Sequence, residues 1–138
     1  EELFANVRMV KQEYGKPVWI VETAYGFTEA PAYSEDKEWK PLIDSSSLSL
    51  ADARKPYPLT QEGQADFIRD LLSLANENGV EGVFYWEPFW LPLPGLTWAS
   101  EEGQAYINEF RDPHNEWANQ CLFDYSGEAT KGFYAFRK

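Results

Sequence analysis

Two carboxylates stand where apolar runs end. Glu22 closes Val18-Trp19-Ile20-Val21, and Glu87 closes Gly82-Val83-Phe84-Tyr85-Trp86 just before Pro88. A carboxylate at the mouth of an apolar strand is costly unless it is paired or at work. Position alone leaves Glu22 open between a functional group and a side chain that has simply reached solvent. Two carboxylates on neighbouring strand ends have the chemistry of a glycosidase pair, in which their separation sets retention or inversion. The same spacing also fits a structural Glu87 bonded to nearby loops. Aromatic residues crowd these mouths: Tyr25 and Phe27 after the first run, then Trp86, Phe89, Trp90, Trp98 and Trp117. Flat rings offer large, rigid contact area suited to the apolar faces of sugars. Trp19 and Phe84 read as core, whereas Trp90, just past a proline, has the better claim to a ligand.

The remaining reactive residue types carry less. His114, in Asp112-Pro113-His114-Asn115, is the only histidine, which excludes a multi-histidine metal site. Cys121 lies in the apolar stretch Cys121-Leu122-Phe123 and reads as a small buried hydrophobe without a second histidine to activate it. The acidic loop Ser34-Glu35-Asp36 lacks the regular oxygen spacing of a calcium loop and reads as solvated.

The elements that position these residues alternate. Leu3, Phe4, Val7 and Val10 recur at helical spacing, and Gly15 stops that helix. The run ending at Glu22 is apolar on both faces, as in a strand buried on both sides of a parallel sheet. Residues 26–59 read as one long irregular connection, of a length usually functional or disordered. Thr60 offers an N-cap, Ile68, Leu71, Leu72 and Ala75 line a helical face, and Asn78-Gly79 closes it. The second strand covers 82–86. A short helix near 102–110, an irregular 112–126 and a last helix near 128–137 complete the order. Strand–helix–strand with buried strands is a βαβ unit. Two strands cannot close a fold, so the chain reads as a piece of an α/β (β/α)8 barrel, whose active-site loops follow strand C-termini. It opens at Glu1-Glu2-Leu3-Phe4, inside an amphipathic pattern, and is expected to be a processed, cut or incompletely sequenced product.

Composition narrows the partners. The 138 residues carry a net charge of −11, against clustered phosphate binding and anionic membrane surfaces. No apolar run approaches the roughly 18 residues of a membrane helix. Six Trp, eight Tyr and nine Phe favour a neutral ligand that stacks on rings.

Several strings together resemble the endo-β-1,4-galactanases of glycoside hydrolase family 53. Val18-Trp19-Ile20-Val21-Glu22-Thr23-Ala24-Tyr25 resembles their nucleophile strand. Gly82-Val83-Phe84-Tyr85-Trp86-Glu87-Pro88-Phe89-Trp90-Leu91-Pro92 is similar to their last barrel strand, with Phe89 where a small residue is usual. Thr60-Gln61-Glu62-Gly63-Gln64-Ala65 resembles the start of the intervening helix. Trp117-Ala118-Asn119-Gln120-Cys121-Leu122-Phe123-Asp124 looks like the motif before the final helix. The resemblance implies the C-terminal portion of a (β/α)8 TIM barrel, its last two strand–helix units, with residues 1–138 forming part of a catalytic domain. It implies endo-hydrolysis of β-1,4-galactosidic bonds in (arabino)galactan with retention, Glu22 as nucleophile, and Glu87 at a non-catalytic position. It implies substrate contacts at Tyr25, Trp86, Trp90 and Trp98, secretion of the whole protein, and the preceding part of the barrel as structural partner. The family's acid/base Glu follows an Asn at a strand end, and none of Asn76-Glu77, Asn108-Glu109 or Asn115-Glu116 fits, so this chain alone is expected to be inactive. No cofactor is expected. Calcium, which ties long loops in some members, is not supported between Thr28 and Pro58, and Ala118 stands where an acidic ligand would. The competing readings are a carbohydrate-binding module or inactive barrel remnant, and a retaining barrel glycosidase for another β-glycan.

Overall fold

The computed structural model describes residues 2–34, 37–39, 43–44, 57–93, 99–107 and 117–137. Helix α1 (Glu2–Tyr14) precedes strand β1 (Trp19–Thr23). A hairpin of β2 (Ala32–Ser34) and β3 (Lys37–Trp39) follows. Then come helix α2 (Gln61–Glu77), strand β4 (Gly82–Tyr85), helix α3 (Glu101–Ile107), a 3-10 turn at Ala118–Gln120 and a short helix α4 (Lys131–Tyr134). The hairpin corrects the expectation of an irregular 26–59. Its antiparallel register pairs Ala32 with Trp39 and Ser34 with Lys37. The last helix is also shorter than expected, because residues 122–130 fold as a bridge between Phe123 and Ala129 capped by Asp124.

Local chemistry accounts for the boundaries. Gly15 ends α1 at φ 59°, its amide bonding the Lys11 carbonyl. That left-handed conformation favours glycine. Thr60 caps α2, its hydroxyl accepting the Gly63 amide at 3.1 Å. Gly79, at φ 66°, follows the last turn of α2 and turns the chain into β4.

β1 and β4 pair in parallel, Trp19 beside Gly82 and Ile20 beside Val83, joined by the α2 crossover. Ile20 and Val83 face the helices and pack on Phe4, Val7, Leu71 and Ala75. A second cluster joins Ala65 and Ile68 of α2 to Leu122, Tyr85 and Ala135. The apolar stripe of α2 therefore serves two clusters, Leu71 and Ala75 one, Ile68 and Leu72 the other. Burial of the large apolar side chains Phe4, Val7 and Ile68 stabilises each by roughly 1.5–3 kcal/mol.

The opposite face of the sheet is open among the described residues. Trp19 is 51% exposed, Val21 63% and Phe84 54%, the Trp19 and Phe84 rings leaning together at 5.7 Å. The apolar run was legible. What covers its second face is not among the described residues.

Candidate functional site

The parallel ladder is irregular at the decisive place. Ile20 pairs with Val83 and Thr23 with Tyr85, so two residues of β1, Val21 and Glu22, stand opposite the single residue Phe84. Strict alternation would send Glu22 to the same face as Ile20, beneath the helices. The bulge adds one residue and turns Glu22 to the open face with Val21. Burial agrees at each position. Ile20, Thr23, Val83 and Tyr85 are partly covered, while Val21, Glu22 and Phe84 are exposed. The ladder then runs one step further, the Trp86 amide donating to the Thr23 carbonyl at 2.8 Å. Trp86 follows Phe84 by two residues and is 45% exposed. Glu22 and Trp86 are thus both exposed at the C-terminal mouth of the two strands.

Beyond Trp86 the backbone is strained. Glu87 adopts φ 46° although it is not glycine. Such conformations cost on the order of 1–3 kcal/mol and gather at functional sites. Its carboxylate is turned inward, with Oε2 buried and without a hydrogen-bond partner among the described residues. Burial raises its pKa above the usual carboxylate value. Beneath it lies Cys121, fully buried, whose thiol donates to the Glu87 carbonyl at 3.7 Å. Burial pushes that thiol up to about 12, against a smaller pull from the Trp90 backbone. Cys121 is therefore a packed, protonated thiol, as its apolar neighbours suggested.

The segment 119–122 ties both mouths together. Asn119 accepts the Phe27 amide through its carbonyl (2.8 Å), and its Nδ2 donates to the carbonyls of Thr28 (2.9 Å) and Ile43 (2.6 Å). Gln120 Nε2 reaches the Trp86 carbonyl at 3.5 Å, and the Leu122 amide donates to the Pro88 carbonyl at 2.9 Å. These roles were not foreseen. The available signal was polar residues, Asn119 and Gln120, inside an otherwise apolar stretch.

Of the expected ligand contacts, Trp86 lies exposed on the Glu22 face and Trp90 is half-buried in the turn after Pro88. Tyr25 is 7% exposed, stacks on Phe67 at 4.6 Å, and its hydroxyl donates to the Tyr57 carbonyl at 2.6 Å. Its ring supports the loop from inside. Trp98, His114 and the acidic pair Glu35-Asp36 lie outside the described residues, as do Asn108-Glu109 and Asn115-Glu116. Asn76 and Glu77 end α2, exposed and remote from both strand mouths in sequence and element. Among the described residues, no three His, Cys, Asp or Glu side chains come together to hold a metal. Ala118, 1% exposed in the 3-10 turn, offers no side-chain oxygen.

A parallel βαβ unit with its candidate side chains at the strand C-termini has the architecture of a (β/α)8 barrel segment, which places active sites there. The sequence profile of glycosyl hydrolase family 53 matches residues 1–136, and the chain belongs to that family. A Niallia circulans protein is 34% identical over 137 residues, covering 96% of this chain and 31% of its own length. An endo-β-1,4-galactanase of Bacillus subtilis is 28% identical over 162 residues, covering 99% and 34%. The solved family 53 catalytic domain of Ignisphaera aggregans superposes with a TM-score of 0.74 at 32% identity, covering 97% of this chain and 33% of that domain. The chain spans about a third of the length of the relatives it matches. Its fold is accordingly the C-terminal part of a (β/α)8 barrel.

Proposed function

We propose that the chain supplies the nucleophile side of an endo-acting galactanase that cleaves β-1,4-galactosidic bonds in (arabino)galactan with retention. The carrying observation is the bulge in β1, which leaves Glu22 exposed at the same strand mouth as the exposed Trp86. In this reading the Glu22 carboxylate attacks the anomeric carbon from the face opposite the leaving oxygen. A covalent galactosyl-enzyme forms, which water then hydrolyses. Trp86 flanks the sugar at the cleavage point, and Trp90 extends the wall that holds the polymer; Trp98, outside the described residues, is the remaining candidate for a sugar contact. Relatives named as galactanases support the substrate class. The acid/base carboxyl comes from an earlier strand of the barrel, outside this chain. The preceding two thirds of the barrel are thus the chain's structural partner. General acid catalysis contributes about 10²–10⁴-fold, so this chain by itself does not turn over galactan. A polymer of cell walls calls for a secreted enzyme.

The test is Glu22→Gln in the complete protein that carries this chain. Turnover of β-1,4-galactan falls to background while galacto-oligosaccharide binding, read by calorimetry, stays. Surviving turnover removes Glu22 from the nucleophile role. Hydrolysis of a glucan or mannan in preference to galactan would replace the substrate assignment and leave the mechanism.

A further inference from the structure

One side chain from the helix-facing side of the sheet reaches both strand mouths. Gln64 of α2 is fully buried. Its Nε2 donates to the Tyr25 carbonyl at 2.9 Å and the Cys121 carbonyl at 3.0 Å, and its Oε1 accepts the Thr130 hydroxyl at 2.8 Å. Beside it, the Tyr85 hydroxyl accepts the Tyr25 amide at 3.0 Å and donates to the Gln120 carbonyl at 2.7 Å. Gln64 Nε2 also lies 3.2 Å from that hydroxyl. Both backbone polar groups of Tyr25, three residues after Glu22, are thus held by these two side chains. The other end of the network holds 120–121, which in turn touches the Trp86 and Glu87 carbonyls.

We propose that Gln64 and Tyr85 form a positioning clamp that fixes the two strand mouths carrying Glu22 and Trp86 relative to each other, acting through the backbones of Tyr25 and 120–121. The clamp touches no substrate. Its hydrogen bonds are satisfied: the hydroxyl gives one and takes the Tyr25 amide, and the glutamine amide uses both its protons and its oxygen. Fully satisfied buried networks rigidify what they join. A mouth held this way keeps a nucleophile within the sub-ångström tolerance that catalysis demands, where about 1 Å of misplacement costs about 10²-fold. This inference rests on the reading of Glu22 as nucleophile.

Tyr85→Phe in the complete protein tests it, with Tyr57→Phe as the matched control. Tyr57 also loses a short hydroxyl bond, to Asp70 at 2.6 Å, but on the flank of α2. For Tyr85→Phe, kcat on galactan falls about 10-fold with KM within about 2-fold, the response of a displaced reacting group. Tyr57→Phe lowers the unfolding midpoint without moving kcat. Equal kcat for both variants overturns the clamp. Amide hydrogen exchange gives a second readout that needs no activity. Tyr25 and Trp86 amides lose protection in Tyr85→Phe while Ile68 and Ala75 keep theirs. Unchanged exchange at Tyr25 and Trp86 overturns the clamp as well. A wild-type protein that cleaves no galactan overturns the functional reading alone, and exchange then decides the clamp.

Discussion

Gly132→Ala should be destabilising for a reason that a second substitution removes. A Cβ at Gly132 would lie 2.3 Å from Gln64 Oε1, 2.7 Å from Cδ and 2.9 Å from Cγ. A flexible surface glutamine would move aside. Gln64 cannot do so cheaply, because it is fully buried and holds the Tyr25 and Cys121 carbonyls and the Thr130 hydroxyl. Displacing it weakens three buried hydrogen bonds of about 1 kcal/mol each. Alanine in place of glycine in a helix returns up to about 1 kcal/mol. The net cost is about 2 kcal/mol, within the usual range for overpacking. In a Gln64→Ala background the clashing atoms are gone, so Gly132→Ala becomes neutral or stabilising by up to about 1 kcal/mol. The double-mutant cycle therefore carries a coupling near 3 kcal/mol. Urea unfolding of the four proteins, followed by tryptophan fluorescence, measures it. Additivity within about 0.5 kcal/mol, or a wild-type background stabilised by Gly132→Ala, would refute the packing argument.

Other substitutions separate roles that lie close together. Burial raises the folded-state pKa of Glu87, so the folded state holds that proton more tightly than the unfolded chain. Its stabilising contribution is complete below the ordinary carboxyl value of 4.5 and is lost as pH rises through the raised value. Glu87→Gln carries no such proton. Its stability relative to wild type therefore grows across that window in urea midpoints and is flat below it, and a constant difference would show that Oε2 is not desolvated. Thr60→Ala removes the cap on α2 and costs about 1 kcal/mol, while Thr60→Ser costs a few tenths, measured by the same midpoints. Tyr25→Phe loses the bond to the Tyr57 carbonyl and about 1 kcal/mol of stability, yet leaves oligosaccharide affinity unchanged in calorimetry. Weakened sugar binding would return Tyr25 to the ligand.

The parts legible in the sequence were those governed by local chemistry. Gly15, Thr60 and Asn78-Gly79 marked helix ends through backbone rules that act within a few residues, and the apolar runs marked both strands. The hairpin at 32–39 was missed because its strands are three residues each, too short to establish a period. Glu22 stood out as a carboxylate on an apolar run, but its direction did not. Alternation would place it under the helices, and only pairing with β4 reveals the extra residue that reverses it. The packing of Tyr25 was hidden for a related reason. Its position after the strand pointed to the mouth, whereas the stacking partner Phe67 and the acceptor Tyr57 come from distant parts of the chain. Gln64 looked like an ordinary polar residue in a first turn, and its role depends on three segments that meet only in the fold.

The bulge also links the site to the stability of the chain. The helix-facing side of the sheet is self-sufficient, with two apolar clusters and the Gln64 network behind it. The side that carries Glu22 is not. Trp19, Val21, Phe84 and Trp86 stand there 45–63% exposed, and among the described residues each strand of the pair has only the other as a neighbour. Two strands with open edges and one bare apolar face are marginal in water. The 138 residues made alone should therefore bind a hydrophobic dye, lack a sharp near-ultraviolet signal and associate at micromolar concentration. Adding the first two thirds of a family 53 barrel in trans should suppress the dye binding, because it covers the same face on which the nucleophile must work. A cooperative melt of the isolated chain, with a rigid aromatic signal, would refute this. It would mean that the open face is stable in water by itself, and that the chain needs no further strands to hold Glu22 in place.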